Sequence, residues 1–347
     1  MAEEMNQEIE GLEEETKRGK GADIGTMFVK CAQAEGEEIV FSSQRNAFFE
    51  VEHTGITKKV FDDHNVKYVT KEDKLYVVGD EALQFANMSN KEVRRPLSKG
   101  VISPTEKEAL PMMELLIKSV VGEPSHREEI VYFSVPGDPL DAKFDIIYHT
   151  KTIEGFLKTL GYTSKPINEG YTVILSELAE EDFTGIGISL GAGMINVCLS
   201  FMSVPIIKFS LIQAGDWIDQ QAATAVNEAA SRVSEIKESS LDLSKEEGLD
   251  KIERALSIYY NHLTEYVIEN IKQEFTKEVG TPTITKPMSI ILSGGTSLPK
   301  GFSQRFKQIL DRVKMPFPIG EVRMASQPLR SVAKGALVAA IADESKK

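Results

Sequence analysis

The sequence predicts an α/β protein of two similar lobes with mixed sheets. Strand-rich stretches give way to strand–helix alternation, and this happens twice along the chain. A short glycine-bearing turn between two apolar strands occurs once in each half, at Ala22-Asp23-Ile24-Gly25-Thr26 and at Ile188-Ser189-Leu190-Gly191-Ala192-Gly193. The length of 347 residues suits two domains, and 41% hydrophobic with 27% charged residues is ordinary for a globular chain.

The elements follow in order. Residues 22–31 read as strand, turn and strand. Ile39-Val40-Phe41 and Phe48-Phe49-Glu50-Val51 are β-rich, and 66–78 offers two short strands around Lys71-Glu72-Asp73-Lys74. Asp80 is placed to cap a helix. Ser103-Pro104-Thr105-Glu106 has capping-box spacing with proline at the first helical position, ahead of Ala109, Met112, Met113, Leu116, Ile117 and Val120 at helical intervals. Ile130 to Pro136 is a buried strand, and 141–160 a helix ended by Gly161.

The second half repeats the theme. Strands cover 186–200 and 204–213, and a helix runs from Gly215 to about Val233. An amphipathic helix over 248–275 carries Ile252, Leu256, Tyr259, Leu263, Val267 and Ile271 on one stripe. Met288 to Leu292 is a central strand before Ser293-Gly294-Gly295-Thr296-Ser297, a helix starts at Lys300, and 332–341 is a small-residue helix. The expected division is an acidic tail over 1–17, a first lobe over 18–165 with a small β-rich subdomain at about 36–78, a second lobe over 166–331, and a helix over 332–347 returning to the first lobe.

The formal charge of -13 argues against nucleic acid as a direct partner, which calls for a basic face. Cys31 and Cys198 lie in apolar strand-like runs and read as buried free thiols, which suits a reducing cytoplasm. No apolar run approaches a membrane span, and no signal peptide is evident. Each glycine turn aims backbone N–H groups at one point, where glycine lets an anion approach. Two such turns suggest half-proteins facing each other across one phosphate group.

Further segments add to these turns: Val78-Gly79-Asp80-Glu81-Ala82, Arg95-Pro96-Leu97-Ser98-Lys99-Gly100-Val101-Ile102, Ser134-Val135-Pro136 and Asn168-Glu169-Gly170. In this order they resemble the actin-like ATPase superfamily (the fold of actin, heat-shock chaperones and sugar kinases), and within it bacterial actins of the MreB type. The resemblance covers almost the whole chain from about residue 20. It implies two ribonuclease H-like α/β lobes around a central nucleotide cleft, binding ATP or ADP with Mg²⁺.

The resemblance also implies roles. Asp23 would hold the waters of Mg²⁺, or only cap the backbone. Glu169 would orient the attacking water, or simply open a helix. Gly25, Thr26, Met27 and Lys30 from the first turn, and Gly191, Ala192 and Gly193 from the second, would bind phosphates; a solvated Lys30 is the alternative. Gly294, Gly295 and Thr296 would lie against base and ribose, or form an ordinary strand-to-helix turn. Glu235 and Lys237 would line the same side or sit on a solvated helix face, and Asp216 is either behind the second turn or a helix N-cap.

Two departures stand out. Ser189 occupies the place of an aspartate, which implies a weaker hold on the metal and slower hydrolysis, to be raised by Ser189→Asp. The second small subdomain is reduced to a loop near 238–248. The function implied is an ATP-binding cytoskeletal protein, a slow ATPase in the cytoplasm, self-associating into filaments together with accessory proteins. The second reading is a non-polymerising adaptor of the same fold, and a sugar or acetate kinase ranks below both.

Overall fold

The computed structural model describes residues 19–89, 91–277 and 286–346. The acidic stretch expected over 1–17 lies outside the described residues. The chain divides into two compact units, one running to Val135 with Ile146–Ile167 and Ala336 onward, the other Pro136–Asp145 with Asn168–Gly335.

In the first unit β1 (Lys20–Ile24) is buried along its whole length. It pairs antiparallel with β2 (Phe28–Glu35), which pairs with β3 (Glu38–Arg45). A smaller sheet holds β4 (Phe48–Glu52), β5 (Tyr68–Lys71) and β6 (Lys74–Val78), with α1 (Gly55–Asp63) and α2 (Asp80–Met88) beside it. A short β7–β8 ribbon (Leu97–Ser98, Val101–Ile102) leads to α3 (Ala109–Val121). Then come β9 (Ile130–Val135), α4 (Ile147–Thr159) and β10 (Thr163–Asn168). The main sheet runs β3-β2-β1-β9-β10, with β1 and β9 parallel. Its core joins Ala22, Val29 and Phe133 to Met112, Met113, Leu116 and Ile117 of α3 and Ile153 and Leu157 of α4, each fully buried aliphatic being worth roughly 1.5–3 kcal/mol.

The second unit contains α5 (Glu169–Glu177), β11 (Gly185–Leu190), β12 (Ile195–Phe201), β13 (Val204–Leu211), α6 (Gly215–Val226), α7 (Ala230–Ser239), α8 (Lys251–Lys277), β14 (Met288–Ser293), α9 (Phe302–Leu310) and β15 (Ile319–Met324). α10 (Ser331–Glu344) closes the described chain. The sheet order is β13-β12-β11-β14-β15, three antiparallel strands followed by two joined in parallel. It matches the first sheet in the order of its strands along the chain, a three-strand meander followed by two later strands on the side of its first. Helices cover both faces: Tyr260, Leu263 and Val267 of α8 pack on one, Val173 and Ile174 of α5 on the other.

Local bonds explain where the elements depart from the sequence reading. The helix expected from Ser103 begins at Ala109, because the Glu106 carboxylate takes the Arg94 guanidinium instead of the Ser103 amide. The helix expected from Asp141 begins at Ile147: Asp141 accepts from the Ile212 amide at 2.9 Å and the Tyr266 hydroxyl at 3.1 Å, tying its segment to the end of β13. The helix expected to continue to Val233 stops at Val226, where Asn227 turns left-handed at φ 54°. Gly79, not Asp80, stands at the N-cap of α2. α1 was not legible in sequence because only Phe61 of it is buried. Residues 240–250 hold a single bridge, Asp242 with Lys300, and no strand.

Cys31 and Cys198 are buried and free, and burial pushes both thiols up to about 12. Among the described residues no helix is long and apolar enough to cross a membrane.

His149 on α4 is buried with neither ring nitrogen hydrogen-bonded, and burial pulls its pKa from 6.5 down to about 4. The unfolded chain therefore binds the proton first as pH falls. Stability is full above about pH 6.5 and declines toward pH 4, by up to about 3 kcal/mol from this residue. His149→Leu is expected to flatten that part of the stability–pH curve in urea melts at pH 7, 6, 5 and 4. A wild-type slope retained in the variant would show that His149 is not its source.

Candidate functional site

The two glycine turns have the same construction. The Gly25 amide donates to the Phe28 carbonyl at 3.0 Å, and the Gly191 amide to the Met194 carbonyl at 3.0 Å. The next two amides of each turn, those of Thr26 and Met27 and of Ala192 and Gly193, donate to no partner among the described residues. Open, adjacent N–H groups in a tight turn form a concavity suited to an anion.

In the first unit, Asp23 and Lys30 are cross-strand partners of β1 and β2. The Lys30 ammonium lies 3.0 Å from Asp23 Oδ2, and Ser134 Oγ reaches Asp23 Oδ1 at 3.4 Å. Both side chains are largely withdrawn from water, at 18% and 8% exposure. Asn46 secures the turn, its side-chain amide donating to the Gly25 carbonyl at 2.8 Å and its backbone amide to the Met27 carbonyl at 2.9 Å. The pair can present one carboxylate and one ammonium beside the open amides.

In the second unit the equivalent cross-strand partners are Ser189 and Asn196. Ser189 Oγ donates to Glu169 Oε1 at 2.7 Å, and Asn196 Nδ2 donates to Glu169 Oε2 at 2.9 Å. The Gly137 amide donates to Asn196 Oδ1 at 2.9 Å, which fixes which end of the Asn196 amide faces Glu169. Each oxygen of Glu169 is thus held by a buried neutral donor. Glu169 opens α5, capped by Asn168, whose side chain accepts from the Tyr171 amide at 3.1 Å. Gly170 lets α5 approach β12: a Cβ there would stand 2.7 Å from the Cys198 nitrogen. A proline ring in its place would have no room.

This arrangement revises the expectation for position 189. An aspartate there would set a second carboxylate against Glu169 in place of a donor. Ser189→Asp is expected to destabilise the fold by about 1–3 kcal/mol at pH 7. The mutual repulsion raises the carboxyl pKa values in the folded state, so the loss shrinks as pH falls through the carboxylate range. Urea melts of both proteins at pH 7 and pH 4 measure it; equal stability at both values would contradict the direct contact.

The second turn is braced from behind. The Gly191 carbonyl accepts from the Gly215 amide at 3.1 Å and from Thr296 Oγ1 at 2.8 Å, and the Ala192 carbonyl accepts from the Asp216 amide at 2.7 Å. Asp216 lies in the first turn of α6, and Ala214 takes the N-cap. Lys237 is buried, its ammonium 2.7 Å from Asp219 Oδ2 and 3.2 Å from the Gly215 carbonyl. Burial pushes the Asp219 carboxyl up, and the neighbouring ammonium pulls it back. Gly294 has φ 91°, and a Cβ on it would lie 2.3 Å from the Leu190 carbonyl oxygen. Gly295 is exposed beside it, and Glu235 is exposed on α7.

Within the second unit direct bonds join Gly191 to Gly215 and Thr296, Gly215 to Lys237, and Ala192 to Asp216, while Glu169 is held separately from these by Ser189 and Asn196. Thr296 and Lys237 spend their polar groups inward, on the turn and its support. Sequence reasoning missed Asn196 and Gly137. Asn196 was within reach of it: Asn196 follows Ser189 by the interval that separates Lys30 from Asp23. Gly137 meets it only through the fold.

The model of one protein family, Volactin, matches residues 19–340. The chain belongs to the Volactin family. No curated protein matches it by sequence. Among solved structures this Volactin-family chain is similar to the MamK double helical filament, at 19% identity over 92% of this chain and 98% of that one, with a TM-score of 0.71. MreB 5 of Spiroplasma citri bound to AMPPNP matches at 15% identity over 94% and 97%, with a TM-score of 0.66. The ethanolamine utilization protein EutJ from Carboxydothermus hydrogenoformans matches at 12% identity over 92% and 89%, with a TM-score of 0.54. The fold is that of the actin-like proteins, as the order of the sequence motifs implied.

Proposed function

We propose that this Volactin-family protein is a cytoplasmic, actin-like nucleotide-binding protein that binds ATP and ADP with Mg²⁺ and assembles into filaments under nucleotide control. The duplicated turn, with two open amides in each copy, carries the nucleotide part of this reading. The MreB 5 structure it resembles holds AMPPNP, and the MamK structure is a filament; both support the reading.

The amides of Thr26 and Met27 and of Ala192 and Gly193 receive phosphate oxygens, next to Gly25 and Gly191. Lys30 would pair with the phosphates, and Asp23, 3.0 Å from it, would hold water of the Mg²⁺ ion. Mg²⁺ supplies charge neutralisation at the phosphates. Gly295, exposed beside the closely packed Gly294, would lie against base and ribose, with Glu235 as a polar partner on that side. Asp216, Lys237 and Thr296 act by holding the second turn in shape. Glu169, clamped by Ser189 and Asn196, orients the attacking water. With one carboxylate in the second turn region where the family resemblance implies two, hydrolysis is slow.

Calorimetry with ATP and Mg²⁺ tests binding, and sedimentation with ATP, ADP or no nucleotide tests assembly. Heat of association with nucleotide-dependent pelleting is the expected result. Absence of heat would overturn the nucleotide reading. Binding by a species that stays single at every concentration would replace the filament with the adaptor.

A further inference from the structure

Helix α1 turns Phe61 inward and leaves its outer side uncovered. Ile56, Lys59, Val60 and Asp63 follow one another there at helical spacing, all exposed, Ile56 at 79% and Val60 at 42%. Single exposed apolar residues are ordinary, but an apolar pair one turn apart on the outer side of a helix is the pattern of a buried face. Lys58 is engaged by Asp62 of the same helix at 2.6 Å, whereas Lys59 has no ion-pair partner among the described residues.

The second unit carries a matching surface. The β12–β13 hairpin turns at Met202 and Ser203, with φ of 49° and 65°. Met202 is 64% exposed and Val204 61%. A two-residue turn of this hand is easiest for Asn-Gly, so a bulky apolar side chain is held at the tip against local preference. The tip is nonetheless fixed: the Met202 amide donates to Thr184 Oγ1 at 2.9 Å, and the Tyr171 hydroxyl donates to the Ser203 carbonyl at 2.7 Å. Thr184 closes a loop whose Glu180, Glu181 and Asp182 are all exposed. The result is a rigid apolar knob rimmed by carboxylates.

Building on the self-association proposed above, we infer that Ile56, Lys59 and Val60 of one copy dock on Met202 and Val204 of a second copy, with Lys59 facing Glu180 and Glu181. The occupant is another copy of this chain because Lys59, between the apolar Ile56 and Val60, is complementary in charge to Glu180 and Glu181 beside the apolar Met202 and Val204, while Asp63 lies a further turn along the helix at the far end of the stripe. The two surfaces are different patches, so the contact is heterologous. Each copy bears one of each, and the contact repeats head to tail.

The test uses two full-length variants, Ile56→Asp and Met202→Asp. Both side chains are exposed, so their melting temperatures should equal that of the wild type. With nucleotide present the wild type should pellet and each variant alone should stay single. Mixed in equal amounts, each variant retains the surface the other has lost, so sedimentation velocity should show a species of two subunits and nothing larger. Lys59→Glu and Glu181→Lys should each weaken pelleting and, combined in one chain, restore it. If the wild type pellets and both aspartate variants pellet equally well, this contact is wrong while the filament reading stands. If the wild type remains single at every nucleotide and salt condition, both fall together.

Discussion

Glu169→Gln is expected to slow phosphate release from ATP roughly 10²–10⁴-fold, the range of a positioned acid–base group. Nucleotide affinity should change little, because Glu169 is assigned to the water and not to the phosphates. The geometry sets this division. Ser189 and Asn196 each donate to one carboxylate oxygen, at 2.7 and 2.9 Å, and Asn196 is itself oriented by the Gly137 amide. A carboxamide cannot accept a water proton, and its amino end would confront one of the two donors. Single-turnover phosphate release and calorimetry on the same preparation separate the two quantities. Release at the wild-type rate in the variant would remove Glu169 from the chemistry. Loss of affinity in step with rate would make it a binding residue instead.

Gly294→Ala should have the largest effect on the fold around the site. A methyl group there meets the Leu190 carbonyl oxygen at 2.3 Å and the Leu190 carbonyl carbon at 2.7 Å, both backbone atoms of a buried strand, and φ is 91°. Neither the clash nor the left-handed strain can be relieved by a rotamer change. The expected cost is on the order of 3 kcal/mol or more, combining overpacking with backbone strain. The damage should spread to nucleotide binding: β11, which Gly294 lies against, ends in the Gly191 turn, and Thr296, two residues on, donates to the Gly191 carbonyl at 2.8 Å. Urea denaturation and nucleotide titration of the variant measure both. Wild-type values in both would mean that the segment relaxes freely and that Gly294 is dispensable.

Serine in place of aspartate at position 189 looks, in sequence, like a missing metal ligand. The fold gives the residue a different employment, as one of two donors on Glu169. The difference arises because Glu169 precedes Ser189 by a helix and a loop, so no local pattern brings them together. Lys237 changes in the same way. It reads as a helix-face lysine, and burial beside Asp219 makes it an internal strut.

Local chemistry determined the periodic parts of this protein. The glycine turns, the apolar strands flanking them and the long stripe of α8 are short-range patterns, in which each residue's neighbours in sequence are its neighbours in space. Their order along the chain was enough to name the fold. Tertiary structure alone decided the helix starts at Ala109 and Ile147, since Arg94 and the β13 end compete for the acids that would otherwise begin those helices nearer Ser103 and Asp141. It also decided the clamp on Glu169, which Ser189 and Asn196 of the β11–β12 hairpin form and which the Gly137 amide, from another segment, supports by orienting Asn196. Hydrogen bonds reach only about 3 Å, and nothing in a linear sequence records which distant groups the sheet will bring within that reach.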